Sequence, residues 1–166
     1  MVSKNFTKSI VYGFAIMFLT AGLLYGFNYM LGNTAAQKDE QVYVGKLATY
    51  VNEMRKISID EQNLVQRWNA EKVISSTAVA GFADAKVNRQ QLEVDFFSRT
   101  APKRFAQIHQ QLRDANTLWM EADDMYREGT FQNKGDYILN GDAKVVTAKE
   151  KFDSALAQLE KLGYKL

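Results

Sequence analysis

The sequence predicts an all-α chain: one apolar N-terminal helix that crosses a membrane, followed by an extracytoplasmic three- or four-helix antiparallel bundle. Three observations predict it. No charged residue stands between Lys8 and Lys38, apolar residues after Gln37 recur at helical spacing, and a single proline, Pro102, leaves long stretches unbroken.

Residues 1–9 read as a short cytoplasmic tail and 10–31 as a transmembrane signal anchor. At about 1.5 Å per residue, Ile10 to Leu31 spans roughly 33 Å, which matches a hydrocarbon core of about 30 Å. A secretory h-region is shorter, about 7–15 residues, so cleavage at Thr34-Ala35-Ala36 is the lesser expectation. Lys4 and Lys8 precede the run, whereas Lys38 is followed at once by Asp39 and Glu40. Retention of positive charge in the cytoplasm therefore puts the N-terminus inside and the remainder outside, in a bacterial inner membrane with a periplasmic domain. Ser9 and Gly13, then Gly22 and Gly26, are four apart, a spacing at which helix backbones approach closely in lipid. Asn28 is placed to hydrogen-bond across such a contact.

Residues 32–42 form a juxtamembrane segment, expected to be helical, and 43–166 the bundle. Tyr43, Leu47, Tyr50, Met54, Ile57, Leu64 and Trp68 keep 4-3 spacing with Glu61 as the polar interruption. Ser58-Ile59-Asp60-Glu61 has the form of a capping box and marks a candidate break. Ala78, Phe82, Ala85, Leu92 and Phe96 make a second seam, interrupted by Arg89. Both interruptions are expected to face solvent where the register drifts; the alternative makes them the internal polar groups that a ligand-binding bundle would need. Thr100-Ala101-Pro102 reads as a stop and restart, with Thr100 as the cap and proline in the first turn. The third helix carries Phe105, Ile108, Leu112, Ala115, Trp119, Ala122 and Tyr126 without a polar exception. The fourth carries Val145, Ala148, Phe152, Ala155, Leu159 and Leu162. Between them, residues 130–142 are rich in Asn, Gly and Asp and read as a loop. Within it Tyr137, Ile138 and Leu139 are either folded onto the bundle or presented to a partner.

Three resemblances follow from these segments. The start Lys4-Asn5-Phe6-Thr7 before an apolar helix is similar to type IV pilins, although the family's glycine and glutamate are replaced by Asn5 and Ile10. A span leading into an up-down bundle resembles the periplasmic four-helix sensor domains of bacterial chemoreceptors, which implies ligand sensing. Ala122-x-x-Met125-Tyr126-x-x-Gly129-x-Phe131 with Ala148-x3-Phe152-x2-Ala155-Leu156 resembles a tetratricopeptide hairpin, with about a dozen extra residues between the halves.

Composition excludes several chemistries. There are 21 basic and 19 acidic residues, a net charge of +2, so no nucleic-acid partner is expected. Without cysteine there is no disulfide and no thiolate metal site. The one histidine, His109, has no partners in sequence for a catalytic or metal constellation and is expected at the surface or rim. Glu121, Asp123, Asp124 and Glu128 read as a solvated acidic face rather than a cation site. Met120 and Met125 beside Trp119 read as core. No catalytic, cofactor or metal residue is expected, and the chain is expected not to be an enzyme. The expected partners are the lipid bilayer and other integral membrane or periplasmic proteins, or further copies of itself. The expected role is that of an accessory or scaffold subunit of an envelope complex, with a ligand-binding sensor or a self-assembling protein as the alternatives.

Overall fold

The computed structural model describes residues 35–70 and 74–165. Among them the chain is entirely helical: four α-helices and no strand, consistent with a helical bundle. They are α1 (Ala35–Asn69), α2 (Ser75–Leu92), α3 (Ala106–Gln132) and α4 (Gly135–Lys161). No helix among these residues is long and apolar enough to cross a membrane. The predicted span at 10–31 lies outside the described residues, and so do Ser9, Gly13, Gly22, Gly26 and Asn28.

The helices run up, down, up and down. Phe82 meets Tyr126 and Phe97 meets Arg113, so α2 and α3 are antiparallel. Tyr126 bonds Asp142 and Trp119 meets Phe152, so α3 and α4 are too. One end of the bundle therefore holds the start of α1, the α2–α3 connection and Tyr164. The other holds the α1–α2 connection and the α3–α4 turn.

The apolar seams face inward as their spacing demands. Leu47, Tyr50 and Met54 from α1, Phe82 from α2, Leu112 and Trp119 from α3, and Phe152 and Leu159 from α4 are all buried. Burying such side chains is worth about 1.5–3 kcal/mol each before chain entropy is subtracted. Leu92 and Trp68 are only partly covered. Leu162, at the end of its seam, is exposed because α4 stops at Lys161. There Gly163 adopts φ 89°, and the Tyr164 N–H donates to the Leu159 carbonyl at 3.0 Å. This glycine cap turns the chain so that Tyr164 packs on Phe105, ring centres 5.5 Å apart.

Three local expectations are corrected. Helix α1 runs through Ser58 without a break, and Ser58 is buried, because Glu61 is drawn into the core and not back to the backbone at Ser58. Thr100 caps nothing: Pro102 holds the position before a 3₁₀ turn at Lys103–Phe105, with φ −56° and ψ 145° and no side-chain cap. Residues 130–142 are not a loop. Only Asn133 and Lys134 separate α3 from α4, with Asn133 left-handed at φ 54° and the Lys134 N–H donating to the Gly129 carbonyl at 2.9 Å. The glycines there serve packing: a Cβ on Gly129 would lie 2.6 Å from Ile138 Cγ1, and one on Gly141 2.9 Å from the Tyr126 ring. The second seam does continue to Phe96, but after α2 the helix widens into a π-helical turn at Glu93–Phe97, which buries the consecutive residues Phe96 and Phe97.

Candidate functional site

Glu61 and Arg89, expected in solvent, are instead the centre of the molecule. They occupy seam positions, so the helical period that buries Ile57 and Ala85 carries them inward as well. Arg89 is fully buried. Its Nη1 donates to Asp123 Oδ2 at 2.7 Å and its Nη2 donates to Glu61. Asp123, read from sequence as part of a solvated acidic face, is likewise buried. The remaining acidic residues of that run divide. Asp124 pairs with Lys86 at 2.5 Å, and Glu121 pairs with Lys144 at the α3–α4 surface.

Three helices thus contribute one ionisable side chain each to a single cluster. The Trp119 ring lies 5.8 Å from the guanidinium, and the Asn116 amide donates to the Arg89 carbonyl at 3.4 Å. Burial alone would raise the Glu61 carboxyl, but the Arg89 charge and hydrogen bonds from Asp123 and Arg89 hold it below the usual carboxylate range. Asp123 is pushed up to about 10 by burial and by the adjacent Glu61 charge, which Arg89 only partly offsets. Tyr126, next to this cluster, donates to Asp142 Oδ1 at 2.7 Å, and burial raises the Asp142 carboxyl in turn. Both terminal nitrogens of Arg89 are taken by the protein's own carboxyls, so the guanidinium has no fork left for an external anion.

At the other end of α1, His109 is buried, contrary to expectation. Its ring sits among Tyr43, Phe96 and Phe97, and Tyr43 Oη lies 3.1 Å from Nδ1. Burial, and then the Arg113 charge, lower its pKa. The seam positions Phe105, Ile108 and Leu112 gave no warning, because His109 is the neighbour of a seam residue and not a member. What draws it in is the pair of adjacent phenylalanines from the π turn.

Two surface features remain. A groove of about 530 Å³ lies between α1 and α2, floored by Tyr50, Ile57 and Phe96 and rimmed by Lys46, Glu53 and Lys56. The end that carries the α3–α4 turn exposes apolar side chains. Of the predicted contact residues, Ile138 is buried against Gly129, whereas Tyr137 and Leu139 face outward on the first turns of α4. Phe131 joins them at 76% exposure and Ile74 at 71%. Lys134 Nζ lies 5.5 Å from the Tyr137 ring. Among the described residues no group of His, Cys, Asp or Glu could hold a metal ion. The chain matches no family model, no curated protein and no solved structure.

Proposed function

We propose that this chain is a single-pass, membrane-anchored accessory or scaffold subunit that binds partner proteins through the outward end of its helical domain. The observation that carries the proposal is that Ile74, Phe131, Tyr137 and Leu139 are all exposed at the end opposite the start of α1. Large apolar side chains clustered on a surface cost solubility unless something covers them. The uncharged run at 10–31 supports attachment through the N-terminus, so that α1 would lead away from the bilayer and hold this end farthest from it. Helices α3 and α4 have 27 residues each, about 40 Å at 1.5 Å per residue. The small residues Ser9, Gly13, Gly22 and Gly26, with Asn28, supply a second contact surface within the membrane. A sensor role has less support, because both terminal nitrogens of the internal Arg89 it would use are already engaged by Glu61 and Asp123.

The test is co-purification of the full chain from native membranes in mild detergent. Phe131→Ser with Leu139→Gln should strip partners held by the domain, and Gly22→Leu with Gly26→Leu those held in the membrane. Unchanged recovery with both pairs combined would refute the scaffold reading.

A further inference from the structure

The central cluster has an odd charge count. Glu61, Arg89 and Asp123 bring two carboxyls and one guanidinium together where side-chain exposure is 5% or less. If both carboxyls ionise, a net negative charge is sealed in the core, which is far costlier than holding a proton. Among the described residues, Arg89 is the cation that acts on the two carboxyls. The groups that face the cluster are Tyr50 from α1, Tyr126 from α3 and, through Tyr126, Asp142 from α4. Glu93, at the end of α2, adds negative potential at Tyr50. Lys86, one turn before Arg89, is spent on Asp124.

We infer that the folded chain retains one proton shared between Glu61 and Asp123, and that this proton latches α1 onto α2 and α3. With the proton in place, Arg89 binds both carboxyls and the carboxyls bind each other. Once it is lost, two like charges face each other at the only point where α1, α2 and α3 share a polar contact among the described residues. The least-bound partner, α1, then separates so that Glu61 reaches water. This inference does not depend on the membrane reading.

The composition gives it a clean window. The chain has no cysteine and one histidine, and free tyrosine and lysine titrate near pH 10 and above, so between roughly pH 7.5 and 8.5 little besides the cluster and the terminal amine titrates. Urea unfolding of the full chain across that window should show an unfolding constant rising about tenfold per pH unit, the signature of one proton released on unfolding. Asp123→Asn keeps both hydrogen bonds without an ionisable proton and should flatten that slope. A flat wild-type profile, or an unchanged slope in Asp123→Asn, overturns the inference. Infrared spectra of the wild type need no variant. A protonated-carboxyl C=O band should be present at pH 8 and vanish above the window as α1 amides lose exchange protection ahead of those in α3 and α4. Absence of the band at pH 8, or loss of protection in all helices together, overturns it equally.

Discussion

Arg89→Met is the sharpest test of how the core is held. The methionine fills much the same space but removes the 2.7 Å bond to Asp123 and the bond to Glu61, leaving two carboxyls side by side in the core. To stay buried, both must be neutral. One proton is already present, so folding at pH 7 must take up a second. From an unfolded carboxyl near 4.3, that uptake costs about 1.36 × 2.7, or roughly 4 kcal/mol. The figure agrees with the approximately 3–5 kcal/mol typical of breaking a buried pair from one side. With a urea slope of about 2 kcal/mol/M, the midpoint should fall by about 2 M. The deficit relative to wild type should shrink as pH drops, because the variant folds with one more proton than the wild type does. Between pH 7 and 5 about 2.7 kcal/mol should return. Combining Glu61→Leu, Arg89→Met and Asp123→Leu should recover most of the loss, since an apolar trio owes no desolvation. A deficit that does not change with pH, or a triple variant no better than Arg89→Met, would refute the reasoning.

Two further outcomes are expected. Gly141→Ala should destabilise by up to about 2 kcal/mol: overpacking costs about 1–3 kcal/mol, less about 1 kcal/mol of gained helix propensity. The reason is that the Tyr126 ring, only 2.9 Å from the added methyl, is pinned by its bond to Asp142; a melting temperature that rises would contradict this. His109 has a lowered pKa, so its contribution is present above about pH 6.5 and is lost as pH falls and the unfolded chain takes up the proton first. Urea midpoints at pH 7 and pH 5 should therefore converge in His109→Phe relative to wild type. That variant also loses about 1–3 kcal/mol at pH 7 by leaving the Tyr43 hydroxyl unpaired, and an equal acid loss in both proteins would exclude His109 as the source.

The helices were legible wherever burial is governed by period alone. Phe105, Ile108, Leu112, Ala115, Trp119, Ala122 and Tyr126 are all buried, as an unbroken 3-4 spacing requires. What spacing could not convey is that a charge on a seam is drawn in when its counter-charge sits on the facing seam. Glu61 and Arg89 each looked like an error of register; taken as a pair, they were the signal. Asp123 was harder, since it is the neighbour of the seam residue Ala122 and not a member of the seam. Residues 130–142 misled for another reason: composition registers glycine as a breaker, whereas Gly129 and Gly141 omit a side chain so that Ile138 and Tyr126 can close in. Of the contact residues at that turn, spacing from Gly135 onward separates inward Ile138 from outward Tyr137 and Leu139 only after the segment is known to be helical.

The two-residue turn at Asn133–Lys134 also bears on the order of assembly. Helices α3 and α4 meet through partners close in sequence, such as Tyr126 and Asp142, 16 residues apart, so their hairpin closes cheaply. Helix α1 meets α2 on a similar scale beside their connection, where Leu64 packs on Gly81, 17 residues later, but its N-terminal half has no such neighbour. Tyr43 waits for His109, 66 residues later. At a synthesis rate of about 5–20 residues per second, that wait is roughly 3–13 s. The N-terminal half of α1 is therefore seated well after it is made, and for those seconds Tyr43, Leu47, Tyr50 and Met54 form an open apolar strip that a chaperone or a neighbouring nascent chain can reach.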